Sequence, residues 1–567
     1  MSTREPHNGQ PALVFTASSS LKGLANTTVL RDAQAAAHAA DGAARTSGLP
    51  AIAAADGLSD ALKTASGLVI AHGDKQQVVA VVSVPEADRR IVEPALWATS
   101  RTVIDAAGGS VVEQCRDALP LKAPVSIITR DAGETQAVVA ELQASLGRPS
   151  LPMGEDGSGS AEALAVLREA KRPLVLLGHG AAAYSQMDLV TTLARTWEAP
   201  VALTFGANGM PPHRLEEFIA LAADDVPVLA AGTVPWTEAM ARADVILALG
   251  SGLSEADWFG LTDARLVRTP VYRVSLQPDP DGVATQTIVE EAGRFAGRLT
   301  GELERGGVLT ESGWREKFTE ARIRWTEAVD EEAEKDAQRD RLTAGLAMRE
   351  IVAAATADTV FVGEGGASGM WLASHGWRRP VLIPAQHAPI GASIAMGAGI
   401  RAAHPNRPVW AVVGDGAFFY GDRELAGLAE RNEPFTAFVF ADRSWNAIRL
   451  VQTLFFKRRT IGTDLPQVDF AGIANLHGCD SIEARTPGGL AKALAMAQEQ
   501  RDRPLVVQVT IDKGSIPFVG ANLILAELDG VLTKLLGAAG LSSLVAAAKD
   551  FPALRANLRV ITGALRK

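Results

Sequence analysis

Cysteine is nearly absent from this chain of 567 residues, in which Cys115 and Cys479 are the only two. Two thiols exclude a disulfide framework and a cysteine-based zinc site, and their scarcity is typical of a reducing cytoplasm. The opening residues, MSTREPHNGQ, lack the apolar stretch of a secretory signal. Because the sequence also lacks any run of about 18 consecutive apolar residues, it predicts a soluble, cytoplasmic protein without a membrane span.

The chain also lacks an excess of positive charge. Its net charge of −10 gives no electrostatic footprint for DNA, RNA or an anionic membrane. The composition, 47% hydrophobic and 21% charged, is that of an ordinary globular protein. The length exceeds what one core can organise, and it indicates about three or four domains.

Short apolar runs alternate with alanine-rich helical stretches along most of the sequence. This alternation predicts an α/β fold, because buried strands of parallel sheets read as continuous hydrophobic runs. We therefore predict doubly wound parallel sheets. The runs are Val78–Val84, Val125–Ile128, Leu174–Leu177, Val245–Leu249, Val409–Val413 and Phe435–Phe440.

Two joints divide the chain. One, at 154–161, is rich in Gly, Ser and Asp, and the other, at 301–340, is dense in charge and in helix formers, which indicates an exposed connecting helix. The sequence thus predicts three domains at 1–150, 158–305 and 345–515, a helical linker at 306–344 and a helical tail at 516–567.

The most informative segment is a predicted strand–helix–strand unit. Its first strand, Val409–Val413, is followed by Asp415 in a Gly-Asp-Gly turn, and its second, Phe435–Phe440, is followed by Asp442. A right-handed crossover makes the two strands parallel, and adjacent strands lie about 5 Å apart. Asp415 and Asp442 should then project into the crevice where open α/β sheets bind ligands.

Two carboxylates aimed at one point repel each other unless a cation lies between them. Mg²⁺ suits this position, since it prefers carboxylate and phosphate oxygens. The flanking Gly414 and Gly416 would let backbone N–H groups approach a diphosphate closely. The alternative is a solvated loop carrying two unrelated aspartates.

This segment resembles the thiamine diphosphate-binding motif of the acetolactate synthase and benzoylformate decarboxylase superfamily, which begins with Gly-Asp-Gly and ends in a pair of Asn or Asp residues. Ala441 replaces the first member of that pair. The resemblance implies that Asp415, Asp442 and the carbonyl of Ser444 hold Mg²⁺, and that thiamine diphosphate contacts the turn. The residues implied to bind the cofactor here are Gly414, Asp415, Gly416, Ala417 and Ser444.

Two upstream glycine-rich segments also resemble the family. In QHAPIGASIAMGAGIRAAHP, the resemblance implies that Ile390 wedges the two cofactor rings into a V shape and that the carbonyl of Ala388 accepts from the 4′-amino group. GEGGASG resembles the loop that closes over the diphosphate, which includes Gly366 and Ala367. His387 is either a substrate-facing residue or a structural histidine bonded to backbone.

Glu424 matches a glutamate that the family commonly has in the helix between the two aspartates. An ordinary charge on the helix surface explains it equally well. The middle of the chain resembles the family's central domain, in which some relatives bind FAD, but no signal here predicts FAD.

The first domain departs from the family pattern. Arg31–Arg45 reads RDAQAAAHAADGAAR, which resembles the family's helix except at its initial His-Glu pair, where Asp32 and Ala33 stand. The missing glutamate protonates the pyrimidine, and such an acid or base is typically worth roughly 10²–10⁴-fold in rate. Asp32 would point to the opposite side of a strand, so its favoured role is the N-cap of the following helix.

Two further departures are expected in this domain. The family's Gly-Pro-Gly turn survives only as Gly57, and the first strand and helix of the domain are expected to be missing. Glyoxylate carboligase, a member of the family, works with an apolar residue at the glutamate position. Catalysis is therefore compatible with Ala33.

The resemblance implies an enzyme that decarboxylates a 2-oxo acid with thiamine diphosphate and Mg²⁺. We favour carboligation of the acetolactate synthase type, which makes the chain a transferase or lyase. The alternatives are a simple 2-oxo acid decarboxylase, and a weakly active or inactive homologue that needs a partner's glutamate-bearing domain. Family members form their sites between subunits, so a homodimer or homotetramer is implied.

Overall fold

Three parallel six-stranded sheets organise the part of the chain that the structure describes. The computed structural model describes residues 12–21, 23–74, 76–122, 124–147, 160–222, 225–231, 233–253, 257, 269–277, 284–338, 340, 342–376, 379–384, 390–456, 459–499 and 502–513. The predicted α/β class with three helix-flanked parallel sheets is confirmed, and each of the six apolar runs named above contributes a strand. The predicted helical tail lies outside the described residues.

The first sheet has the strand order β2-β1-β3-β4-β6-β5. Its strands are β1 Val14–Thr16, β2 Thr27–Val29, β3 Ala51–Asp56, β4 Val78–Ser83, β5 Thr102–Asp105 and β6 Val125–Thr129. Its helices are Ala33–Ser47, Leu58–Gly73, Glu86–Thr99, Val111–Lys122 and Ala132–Ser145, with 3₁₀ turns at Ser19–Leu21 and Ala106–Gly108.

The expectation that the first strand is missing was wrong. Although β1 has only three residues, all are buried, and it pairs in parallel with both β2 and β3. The 3₁₀ turn Ser19–Leu21 stands between β1 and β2. The short strand keeps the sheet continuous because Val14 and Phe15 contribute fully buried side chains to the core.

The second sheet has the order β12-β11-β10-β7-β8-β9. Its strands are β7 Pro173–Leu177, β8 Val201–Leu203, β9 Val228–Leu229, β10 Val245–Leu249, β11 Val271–Val274 and β12 Gln286–Ile288. Its helices are Ser160–Arg168, His179–Tyr184, Met187–Thr196, Phe205–Asn208, Pro212–Ala222, Val234–Arg242 and Ala292–Gly306.

The third sheet has the order β14-β13-β15-β16-β18-β17. Its strands are β13 Val360–Gly363, β14 Val381–Leu382, β15 Val409–Gly414, β16 Thr436–Ala441, β17 Asp480–Ala484 and β18 Leu505–Thr510. Its helices are Ala344–Ala354, Ala367–His375, Ser393–Ala403, Asp415–Gly421, Arg423–Glu430, Asn446–Phe455, Phe470–Leu476 and Pro487–Gln498.

A long helix, Trp314–Gln338, lies between the second and third sheets in the chain. Its N-terminal end is anchored, since Trp314 and Phe318 are buried and the indole N–H of Trp314 donates to the carbonyl of Pro173 at 2.8 Å. In the part of the chain that the structure describes, no helix combines the length and apolar character needed to cross a bilayer.

Helix Ala33–Ser47, which flanks the first sheet, packs directly against helix Ser393–Ala403, which flanks the third sheet. This contact connects the two sheets. Alanine and glycine dominate both helices, so their backbones approach closely. A Cβ atom at Gly42 would lie 2.3 Å from the carbonyl oxygen of Met396, and one at Gly399 would lie 1.8 Å from that of Ala39. No side chain fits at either glycine without separating the helices.

We expect Gly399→Ala to destabilise the fold by about 1–3 kcal/mol, because its methyl group has no room. Gly297→Ala is the matched control, since a Cβ there would meet only the Leu189 side chain at ordinary contact distance, 3.7 Å. Alanine favours a helix interior by up to about 1 kcal/mol over glycine, so the control should be neutral or stabilising. Urea unfolding measures both, and equal effects would contradict the close contact.

Candidate cofactor site

Strands β15 and β16 place Asp415 and Asp442 at the same edge of the third sheet. The two strands pair in parallel, with Gly414 opposite Phe440, so each aspartate follows the carboxyl end of its strand. This part of the sequence-based prediction is confirmed. The Gly-Asp-Gly turn differs from expectation only in that Asp415 already begins a short helix, Asp415–Gly421.

The Asp415 carboxylate is held by backbone N–H groups from both sides. One oxygen accepts from Gly416 at 2.8 Å and the other from Arg443 at 2.6 Å. Arg443 has a φ of 58°, a left-handed conformation that turns the chain back towards Asp415. The turn after β16 is therefore tied to the turn after β15.

The two aspartates share one electrostatic environment. Burial raises the pKa of Asp415 to about 6. Burial also raises the pKa of Asp442 to about 7, and the charge of Asp415 contributes to this rise. A cation between the two groups would relieve both the desolvation and the repulsion. Oxygen donors of this kind fit a hard divalent ion such as Mg²⁺.

A cleft extends from these aspartates along the sheet edge. Its walls are mainly apolar and aromatic, and its polar groups include the carboxylates of Glu364, Asp415 and Asp442. Apolar walls with a few acidic groups suit a ligand that combines flat rings with a metal-bound diphosphate, as thiamine diphosphate does. The lining includes Gly366, Ala367, Trp371, Ile390, Gly414, Asp415, Gly416, Ala417, Phe440, Asp442, Ser444, Trp445 and Ile448.

Most of the sequence-predicted residues thus come together around one cleft. The Gly366–Ala367 turn, Ile390 and the Asp415 turn are far apart in the chain and all line it. His387 and Ala388 lie outside the described residues. The segment after β16 forms helix Asn446–Phe455, and its first turn also lines the cleft.

Glu364 lines the same cleft and was not predicted from the sequence. The residue is 1% exposed, and burial raises the pKa of its carboxyl group to about 7, although hydrogen bonds from Ser393 and Gly391 oppose that rise. An acid directly before a glycine-rich turn at the end of a strand was the available signal.

Glu424 is a buried interdomain residue. Both of its carboxylate oxygens accept from the backbone N–H of Arg31, at 3.2 and 3.0 Å. The interpretation as a charge on the helix surface was therefore wrong. Glu424 is not one of the described residues that line the cleft.

Asp32 is the N-cap of helix Ala33–Ser47, as the sequence favoured. Its carboxylate accepts from the backbone N–H of Gln34 at 3.0 Å and forms an ion pair with Lys63 at 3.0 Å. Ala33 is buried at the first helical position. Of the described residues that line the cleft, none belongs to 12–147, so Asp32 and Ala33 do not reach the cleft of their own chain.

Family comparisons agree with this architecture. Residues 364–509 match the family described as the thiamine pyrophosphate enzyme C-terminal TPP binding domain, and residues 160–295 match the thiamine pyrophosphate enzyme central domain. The match to the C-terminal domain falls on the third sheet, and the match to the central domain falls on the second. The chain belongs to the superfamily of thiamine pyrophosphate enzymes.

Two curated relatives are named sulfoacetaldehyde acetyltransferase. The chain is 28% identical over 398 residues to sulfoacetaldehyde acetyltransferase of Roseovarius nubinhibens, which covers 64% of this chain and 63% of the relative. It is 26% identical over 390 residues to the Rhodobacter capsulatus enzyme of the same name, covering 63% and 64%. The chain thus spans less than two thirds of the length of these relatives.

A longer alignment exists with the acetolactate synthase large subunit of Parasynechococcus marenigrum. It is 23% identical over 561 residues and covers 90% of this chain and 85% of the relative. The similarity therefore also reaches into the first domain.

The buried Glu424 gives a prediction for stability against pH. Burial raises its pKa from 4.5 to about 7, so between these values the folded chain keeps a proton that the unfolded chain releases. Stability from this group is then lost as the pH rises through that range, by on the order of 2 kcal/mol.

Glu424→Gln cannot ionise and should lose less stability than the parent between pH 5 and 7.5. Chemical unfolding of both proteins at the two pH values tests this. Parallel losses in parent and variant would show that Glu424 is ionised throughout.

Proposed function

We propose that this chain binds thiamine diphosphate through Mg²⁺ and uses it to decarboxylate a 2-oxo acid and to join the product to a second carbonyl compound. The observation that carries the proposal is the pair Asp415 and Asp442, both buried at the ends of adjacent strands, where the charge of Asp415 helps to raise the pKa of Asp442. A buried pair of carboxylates is costly unless a cation compensates it.

Each residue at the sheet edge has a role in this proposal. Asp415, Asp442 and the carbonyl of Ser444 hold the metal. The turns at Gly366–Ala367 and Gly414–Ala417 accommodate the diphosphate, since short residues let the backbone approach its oxygens. Ile390 supports the rings. The roles of Ala388, as an acceptor for the amino group, and of His387, at the substrate, stay predictions from the resemblance.

Thiamine diphosphate, when bound, supplies a nucleophilic carbon and accepts the electrons released by decarboxylation. The chain's own contribution is to bind, orient and desolvate. Trp371, Phe440 and Trp445 give the cleft apolar walls, which exclude water from a reactive centre.

Transfer to an acceptor is favoured over simple decarboxylation by the relatives. The names acetolactate synthase and sulfoacetaldehyde acetyltransferase describe synthesis and acetyl transfer.

A second copy of the chain would complete the site. Large apolar side chains are exposed here: Ile448, which lines the cleft, is 56% exposed, and Phe419 and Tyr420, which line a neighbouring pocket that shares Asp415, Gly416 and Trp445 with the cleft, are 51% and 57% exposed. Such a cluster beside a cleft is typical of an interface. Since Ala33 does not reach the cleft of its own chain, we propose that the first domain of a partner subunit covers it, in a homodimer or homotetramer.

The second candidate function is a cofactor-binding homologue with little activity alone. It is favoured by Ala33, which cannot supply the proton that the family's glutamate supplies. In that case a partner chain with an intact His-Glu pair would complete the reaction.

Mg²⁺-dependent binding of thiamine diphosphate is the first test. We expect Asp442→Asn to weaken binding at least about tenfold, because each lost or unpaired charged contact costs about 1.5–3 kcal/mol. Asp502→Asn, at an exposed acid, is the control. Calorimetry with and without EDTA measures both variants, and Mg²⁺-independent binding would contradict the proposed metal site.

Turnover separates the two candidate functions. Carbon dioxide release is measured from pyruvate and larger 2-oxo acids, with and without an added aldehyde or second oxo acid. Release with formation of a joined product supports carboligation, and release of an aldehyde alone supports simple decarboxylation. Cofactor binding without any release favours the homologue that needs a partner.

A further inference from the structure

Glu364 connects three separate segments that surround the cleft. It follows β13 directly, and its backbone carbonyl lies so close to Gly369 that a Cβ there would be 1.8 Å from its oxygen. Its side chain crosses to the segment after Ile390. One carboxylate oxygen accepts from the N–H of Gly391 at 2.9 Å and the other from the N–H of Ser393 at 3.1 Å. The hydroxyl of Ser393 also donates to it.

These contacts make Glu364 the cap of a helix to which it does not belong. Helix Ser393–Ala403 begins after Ala392, which has no side chain able to accept from the first free N–H groups. A helix start leaves such donors unpaired and favours a negative charge. The carboxylate of Glu364 meets both requirements from a different strand.

The capped segment is also fixed on its other side. Gly391 has a φ of 84°, and a Cβ atom there would lie 2.2 Å from the Cβ of Tyr420 in helix Asp415–Gly421. Gly391 is therefore clamped between Glu364 and the helix that begins with Asp415. Its neighbour, Ile390, lines the cleft.

We infer that Glu364 is a positioning residue. It fixes the position of Ile390 relative to the metal site formed by Asp415 and Asp442, here called the anchor, so that the cofactor rings and the diphosphate are bound together. This inference rests on the proposed function. Without the carboxylate, Ile390 would lose its fixed relation to the metal site while both aspartates stayed in place.

Glu364→Gln tests the inference because both oxygens of the carboxylate accept hydrogen bonds. An amide presents one NH₂ group, which would face the N–H of Gly391 or Ser393. Glu424→Gln is the matched control: it is equally buried at 1% exposure and also accepts through both oxygens, yet it lies away from the cleft.

Two ligands separate ring positioning from general damage. Both thiamine diphosphate and inorganic pyrophosphate, with Mg²⁺, need the anchor and the two glycine turns that accommodate the diphosphate, whereas only thiamine diphosphate also needs Ile390. We expect Glu364→Gln to weaken thiamine diphosphate binding about tenfold or more, as an unsatisfied buried donor implies. Pyrophosphate binding should stay within about threefold of the parent, and the control should leave both affinities unchanged.

Equal losses for the two ligands, or no loss for either, would overturn the inference. If the parent protein binds pyrophosphate but not thiamine diphosphate, the proposed function itself fails instead. Should Glu364→Gln not fold, Ser393→Ala removes only the hydroxyl donor and keeps the backbone contacts. It should show the same selective loss at a smaller size, about threefold, and an unselective result would again overturn the inference.

Discussion

Parallel pairing of β15 with β16 forces two acids to share one small volume, and the other features of the third sheet follow from that constraint. The strands deliver Asp415 and Asp442 to one edge, and the turn through Arg443 binds one acid to the other's backbone. The pKa of each acid is raised by burial. A fold that keeps such a pair without a compensating cation would lose stability for no structural gain. Glycine turns and apolar side chains line the cleft beside the pair, where the proposed ligand would bind.

Sequence reasoning reached this pair because its signals are local. A continuous apolar run, a Gly-Asp-Gly turn and a second acid after the next run determine which residues meet at a parallel sheet edge. The same reasoning missed Glu364, whose partners at Gly391 and Ser393 are 27 and 29 residues away in the chain. It also misjudged Glu424, whose partner Arg31 is 393 residues away. Such long-range hydrogen bonds leave no periodic trace in the sequence.

The missed first strand has a different cause. Three residues are too few to show the alternation or the length by which strands are detected, and β1 is recognised only from its pairing with β2 and β3. Asp32, in contrast, was interpreted correctly as an N-cap, because capping is a property of the helix that immediately follows it.

Helix Ala33–Ser47 also explains why a stretch can keep the look of a catalytic motif after losing its acid. Its alanines and Gly42 are needed where the helix meets helix Ser393–Ala403, since nothing larger fits beneath the carbonyl of Met396. This packing requirement alone is enough to explain the small residues of the helix. The similarity to the family at this helix therefore reflects the close packing of two helices, and it gives no information on whether this segment takes part in proton transfer.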